Sequence, residues 1–466
     1  GRKTTSYKNI VLNKTHDDKF YQLGDKIDVT DGATKKSDEF WQQNRHDSLT
    51  VRELKIYKMI DTIQTLPIYK TWVDIFYILV AGYGKVNNFE IGPYYNIASY
   101  NKVEGMRLRF GGRTSSKFSR WYELNGYVAY GTLDEKWKYS LGFKSFLTKK
   151  PRRQLVGVEL KSDYEILGQS TNGFSQDNLF ASFFRTSPLT NLTKVDNTQA
   201  WYEREWFPGL TTRLGISGSL YTPVGAATYR YIKKDGAIAD KENLRNTEAR
   251  INIRFAYKEK YIGGDFDRIS LGTTWPIVQL NYAKSLQNAF GGEYDYQKFA
   301  VNIFDRIRIT PLLGYTDYML QAGKIWGQVA YPLLELHGGN ETFVYDYYAY
   351  NMMRYYEFGS DQYVAAGIYH HFEGLLFNKI PLLKKLKWRE VVSAKAVWGS
   401  VEPNNRKALI FPSTLKSLER EPYVEATAGI ENIFKVFRVD ALWRLTYPRA
   451  RAVENFGFKF SFQFAL

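Results

Sequence analysis

The stretch Asn455–Leu466 reads N-F-G-F-K-F-S-F-Q-F-A-L. Phe456, Phe458, Phe460, Phe462 and Phe464 take alternate positions and Leu466 completes the row, with Gly457, Lys459, Ser461, Gln463 and Ala465 between them. Side chains on a strand alternate between faces, so one face is continuous aromatic hydrocarbon and the other small, polar or charged. A soluble domain would leave these large apolar groups on an exposed terminal edge, which invites aggregation. A transmembrane β-barrel removes the difficulty, because its last strand pairs with the first and its apolar face meets lipid. The stretch is expected to be the closing strand of an outer-membrane barrel.

The same alternation recurs upstream. Met106, Leu108 and Phe110 alternate with Arg107 and Arg109, and Trp137, Tyr139, Leu141 and Phe143 alternate with Lys136, Lys138, Ser140 and Lys144. Ala249, Ile251, Ile253, Phe255 and Tyr257 alternate with Arg250, Asn252 and Arg254. Phe437, Val439, Ala441, Trp443, Leu445 and Tyr447 alternate with Arg438, Asp440 and Arg444. Each run is about ten residues, the span of a tilted membrane strand. At about 24 residues per strand plus loop, the chain from Gly84 onward holds roughly 16 strands. The expected fold is all-β: a transmembrane antiparallel β-barrel over 84–466, preceded by a periplasmic lead-in over 1–83.

The lead-in is polar, with turn signals at Leu23-Gly24-Asp25 and Thr30-Asp31-Gly32. One amphipathic helix is expected near 50–66, with Leu54, Tyr57, Ile60 and Ile63 on one face, Thr50 and Glu53 as a capping box and Pro67 as the stop. That face is expected to pack on the base of the barrel. The apolar run Trp72 to Ala81 is too short to span a bilayer as a helix, which needs about 20 residues. The chain opens G-R-K-T-T without an initiator methionine or signal peptide, as expected of a mature form or fragment of an exported protein.

The composition agrees. The 466 residues include 36 Tyr, 30 Phe and 11 Trp, enough for interfacial girdles, and the mean hydropathy of -0.41 is compatible with strands that turn only half their residues to lipid. The net charge of +16 is dispersed rather than gathered in a tract, which fits a barrel lumen and rims facing anionic lipid, and no nucleic-acid partner is expected. With no cysteine there is no thiolate chemistry, and the five histidines (His16, His46, His337, His370, His371) lack metal-ligand spacing. No cofactor or metal is expected. The sequence lacks a G-x-S-x-G elbow and a Walker A motif, so a catalytic role is not indicated.

Several stretches resemble a large uncharacterised family of Bacteroidota outer-membrane proteins. They are Y-N-K-V-E-G-M-R-L-R-F-G-G-R-T (Tyr100–Thr114), G-Y-V-A-Y-G-T-L-D-E (Gly126–Glu135), F-W-Q-Q-N-R (Phe40–Arg45), I-Y-K-M-I-D (Ile56–Asp61), F-N-K-I-P-L-L-K-K-L-K (Phe377–Lys387) and G-I-E-N-I-F-K (Gly429–Lys435). The resemblance runs from about residue 40 to the end. It implies a barrel that usually follows a carboxypeptidase-regulatory-like domain, and no assigned reaction. The C-terminal hundred residues are also similar in layout to the outer-membrane assembly and two-partner-secretion superfamily, whose 16-stranded barrels carry an inward loop with an Arg-Gly-aromatic motif. The matching segment is M-R-Y-Y (Met353–Tyr356), with Arg354 and Tyr356 in the motif positions and Tyr355 in place of glycine. In that superfamily the arginine meets an aspartate on a neighbouring strand; the corresponding A-K-A-V-W-G (Ala394–Gly399) has no acid.

The functional expectation is a non-enzymatic outer-membrane barrel in envelope biogenesis or transport, with lipid and lipopolysaccharide around it. Arg107, Arg109, Arg250, Arg254, Arg438 and Arg444 would line or plug its lumen, and Arg354 and Tyr356 would sit on the inward loop. The alternatives are a closed scaffold barrel within a larger outer-membrane complex, and a barrel enzyme. A laterally opening or water-filled barrel, a blocked lumen, or a buried His-containing constellation would tell the three apart.

Overall fold

We describe the protein from a computed structural model, over residues 11–12, 14–15, 25–27, 36–45, 48–150, 152–169, 178, 182–263, 266, 268–310 and 313–462. Phe464, Leu466, the two early turn signals apart from Asp25, and His16 and His46 lie outside these residues.

The barrel begins with three short strands, β1 (Gly84–Val86), β2 (Phe89–Ile91) and β3 (Ala98–Asn101). Longer ones follow: β4 (Gly105–Thr114), β5 (Tyr122–Gly131), β6 (Trp137–Thr148), β7 (Gln154–Glu165), β8 (Asn191–Phe207) and β9 (Leu210–Gly225). The wall continues with β10 (Leu244–Ala256), β11 (Ile277–Ser285), β12 (Tyr296–Thr310), β13 (Gly314–Gly327) and β14 (Gln362–His371). It ends with β15 (Arg389–Ser400), β16 (Tyr423–Ile433), β17 (Phe437–Arg444) and β18 (Phe456–Phe462). They form a closed barrel with antiparallel neighbours. β2 and β3 lie end to end along β4, on Gly112–Thr114 and Gly105–Leu108, and share one place in the wall. Among the described residues the wall has sixteen places from that shared place to β18, as expected from length, and β1 adds a three-residue partner to β2.

The alternation is inside out relative to a soluble protein. In β6 the exposed positions include Trp137, Tyr139, Leu141 and Phe143, and the buried ones include Lys138 and Ser140. In β4 Met106, Leu108 and Phe110 are exposed and Arg107 is buried. Phe456, Phe458 and Phe462 of β18 face outward and Lys459 is buried. Charged groups inside and aromatic groups outside are stable only where the outer medium is hydrocarbon. Tyr447 departs from the outer row expected for it. β17 stops at Arg444, and Tyr447, at φ 49°, turns inward with its ring 5.0 Å from Phe358.

The connections segregate. The described parts of 166–190 and the connections 226–243, 328–361, 401–422 and 445–455 lie at one rim, and short turns such as 208–209 and 434–436 lie at the other. The tight turn before β9 needs Gly209 at φ 92°, where a Cβ would stand 2.2 Å from the Ala256 carbonyl oxygen. The main apolar cluster lies between connections at the first rim: Tyr229 and Leu244, Val329 to Leu334, and Val401, Leu409 and Leu415.

Two helices of the lead-in follow one another, α1 (Val51–Thr65) and α2 (Pro67–Ala81). The capping box forms as expected: Thr50 Oγ1 accepts from Glu53 N, and Glu53 Oε2 accepts from Thr50 N at 2.8 Å. One expectation is corrected. Leu54, Tyr57, Ile60 and Ile63 are exposed and α1 has no buried residue, so this face does not pack on the barrel. Pro67 stops α1 as expected, and its missing N–H and fixed φ also make it the first residue of α2.

Candidate functional site

The connection 328–361 is too buried to be a surface loop, and beyond the apolar stretch 329–334 it takes many polar groups into the interior. Asn340, Thr342, Asn351, Ser360 and Asp361 are all buried. Its neck is a two-residue ladder, Glu335–Leu336 on Gly359–Ser360, and the segment between folds against the inner wall. Backbone groups taken out of water without a sheet ladder need other partners. Four consecutive strands provide them, one charged side chain each. Lys395 of β15 donates to the carbonyls of Asp346 at 3.4 Å and Tyr347 at 2.9 Å, and to that of Ala349. Glu425 of β16 accepts from the backbone N–H groups of Asn351 and Met352, both at 2.8 Å. Arg444 of β17 donates to the Met352 carbonyl at 3.2 Å. Lys459 of β18 donates to the carbonyls of Asn340 and Thr342, at 2.9 and 2.5 Å.

Arg444 also makes a forked, buried ion pair with Glu357 of the loop, at 2.7 and 3.1 Å. Burial pushes the Glu357 carboxyl up, but Arg444, the Arg354 N–H and Arg449 outweigh it and hold it below the usual carboxylate range. The buried clamp thus takes its arginine from the wall and its acid from the loop. Arg354 is half exposed and pairs with Glu454 of the 445–455 connection at 2.9 Å. Tyr356 is buried, and its hydroxyl accepts from the Leu167 N–H at 3.0 Å.

The loop also reaches the seam of the barrel. On the edge of β18 turned away from β17, Phe460 N donates to the Phe343 carbonyl at 3.0 Å and its carbonyl accepts from Tyr345 N at 2.7 Å. Val344 therefore stands opposite Phe460 as a parallel bridge. On its other side the loop pairs with the 182–190 segment: Phe343 N donates to the Phe184 carbonyl at 2.7 Å, and Thr186 N to the Glu341 carbonyl at 2.8 Å. That segment touches β3, where the Ser182 hydroxyl accepts from Tyr100 N at 3.0 Å. The rings of Phe184 and Phe460 meet edge to face at 5.1 Å. Two loop segments thus lie between the described parts of the last and the first strands.

The remaining arginines have partners. Arg107 is buried against Asp163 in a fork at 2.8 Å and against Glu104 at 2.9 Å, and Lys138 joins Glu104 and Asp134. Arg109 lies over the Tyr127 ring at 3.6 Å, and Arg438 is buried on Asp440 at 2.7 and 2.8 Å. Arg250 pairs with Glu248 at 2.6 Å. Arg254 pairs with Glu259 and borders a lumen cavity of about 480 Å³ with Arg153, Arg213, Arg268, Glu203 and Glu205. Lys395, Glu425, Glu357 and Lys459 were not singled out from sequence. Lys459 carried a signal all the same, as a lone charge on the inner face of an otherwise apolar strand.

The described histidines have separate partners. His337 Nε2 lies 2.9 Å from Ser360 Oγ, both buried, and burial pushes the imidazole down to about 4. His370 meets Thr316, and His371 meets Glu431 at 3.0 Å. Among the described residues no group of three His, Asp or Glu side chains is placed to hold a metal.

No curated protein matches the chain. Among solved structures it is similar to BamA from Haemophilus ducreyi lacking POTRA domains 1–3 (10% identity, TM-score 0.45, covering 82% of this chain and 71% of that one). It is also similar to CdiB from Acinetobacter baumannii (10%, 0.38, 78% and 58%) and to OccK11 of Pseudomonas aeruginosa (10%, 0.29, 76% and 86%). Residues 80–406 match the C-terminal domain of the family of unknown function DUF5686, which takes in the barrel from before β1 to past β15, so the chain belongs to that family.

Proposed function

We propose that the protein is a non-enzymatic outer-membrane barrel of envelope biogenesis or transport that works at its wall, through the seam between β18 and β3, rather than through an open lumen. One observation carries this reading: the outer edge of β18 is bonded to the loop residues Phe343 and Tyr345. A short backbone bridge is exchangeable for another strand at less cost than a long ladder, because fewer bonds are broken and the freed edge is a template for pairing. Outer-membrane lipid and lipopolysaccharide are the medium of this wall, other outer-membrane proteins are its candidate partners, and the host is proposed to belong to the Bacteroidota.

The test uses the absence of native cysteine. Val344→Cys with Phe460→Cys, joined in cells by a short thiol cross-linker, locks loop to strand. The expected result is a defect in outer-membrane composition or permeability that appears only when both cysteines are present and bridged. An unimpaired locked protein would sink the seam reading. It would then favour the second reading, a closed scaffold in a larger complex, which the tightly packed inner loop supports on its own.

A further inference from the structure

We infer that α2 is a membrane-surface helix: its apolar face is built to lie in the bilayer interface beside the barrel, at the rim where the N-terminal segment enters the wall. The inference is independent of the seam.

α2 is tied to the barrel by one side. Tyr77 donates its hydroxyl to Glu90 of β2 at 3.1 Å, and Lys85 of β1 sits over the Tyr77 ring at 3.7 Å. The helix ends at Gly82, φ 83°, whose carbonyl accepts from Tyr94 N at 2.8 Å. At 100° per residue, Tyr77 shares its side of the helix with Lys70 and Asp74, the two charged residues of α2. The opposite side carries Ile68, Trp72, Phe76 and Leu79, with Trp72 66% and Phe76 68% exposed. Because the tethered side holds the polar groups, the barrel itself does not cover the apolar one.

An apolar stripe of this size facing water is uncommon in a soluble setting and calls for an apolar partner. What favours lipid is continuity. α2 runs straight into β1 and β2, whose Val86, Phe89 and Ile91 are exposed on the outer surface of the barrel with Leu108 and Phe110 of β4. The outer belt and the helix stripe therefore begin within a few residues of each other. With 15 residues the helix is shorter than the roughly 20 needed to span, and no helix among the described residues is long and apolar enough to cross a membrane. A short helix with one apolar face and a charged back lies in the interface plane, Trp and Phe at head-group depth.

The experiment is site-specific fluorescence on the whole chain, folded into phosphatidylethanolamine–phosphatidylglycerol vesicles. Single cysteines Phe76→Cys and Trp72→Cys, and Lys70→Cys on the charged side, carry an environment-sensitive fluorophore. Labels at 76 and 72 are expected to emit blue-shifted relative to 70, to be quenched by nitroxide lipids carrying the group near the head, and to resist aqueous iodide. Iodide access at 76 equal to that at 70 would overturn the inference. So would shielding at 76 from both quenchers, which would mean that protein covers the face. The heat-modifiable gel shift of each variant reports barrel folding. Phe76→Glu with Leu79→Glu, in a barrel that keeps that shift, is expected to abolish lipid quenching at 72.

Discussion

Lys459 on β18 donates to the carbonyls of Asn340 and Thr342 in the inward loop, residues 119 and 117 positions away in the chain. The one charge in the aromatic closing strand is the strand's grip on the segment that runs along its edge.

Lys459→Met keeps the length and removes the ammonium. Two buried carbonyls lose a charged donor, each such bond being worth about 1.5–3 kcal/mol. The expected outcome is faster amide exchange at 340–346 with the barrel ladder unchanged, read by hydrogen exchange mass spectrometry. Unchanged exchange across the loop would mean that Lys459 does not hold it.

Arg444→Leu leaves the Glu357 carboxylate buried without its main partner, a change that costs about 3–5 kcal/mol when one member of a buried pair is removed. The double variant Arg444→Leu with Glu357→Gln should recover part of that loss. Thermal unfolding of the four proteins measures the coupling, and additive losses would contradict the pair.

The same pair sets a pH dependence. Glu357 has its folded value lowered, so its stabilising contribution is complete above the ordinary glutamate range and is lost as pH falls through the lowered value. Protease access to the 337–358 loop should therefore rise on acidification. In Glu357→Gln this component should be missing.

Conductance tests whether the loop held against the inner wall blocks the lumen. The wild-type barrel in a planar bilayer is expected to pass little current, and Lys395→Met combined with Arg444→Leu to produce frequent openings, because both release the loop from the wall. A large steady pore in the wild type would show that the loop does not block the lumen.

Thr50→Ala removes the capping box of α1, at a cost of about 1 kcal/mol, or roughly a fivefold rise in local opening. Amide exchange over 51–65 checks it. Because α1 has no buried residue, the effect should stay within the helix.

The sequence by itself determined the barrel, the faces of the strands whose alternation it shows, and the cap of α1. Alternation has a period of two and a capping box spans three residues, so both are written locally, and Phe456, Phe458 and Phe462 outside with Lys459 inside follow from neighbours alone. Tertiary structure decided what the inner charges hold. Arg444 and Glu357 are 87 positions apart, and Phe343 reaches Phe460 from another connection, so their meeting depends on how 328–361 folds inside the ring. Nothing in M-R-Y-Y says that its arginine would pair with Glu454 while the wall arginine takes Glu357. What separates the two carboxylates is their place in the fold, Glu357 being the more buried. For α1 the period marked the apolar face, but only the fold showed that the barrel leaves it uncovered, and that the run Trp72 to Ala81 belongs to a second helix with an exposed apolar side.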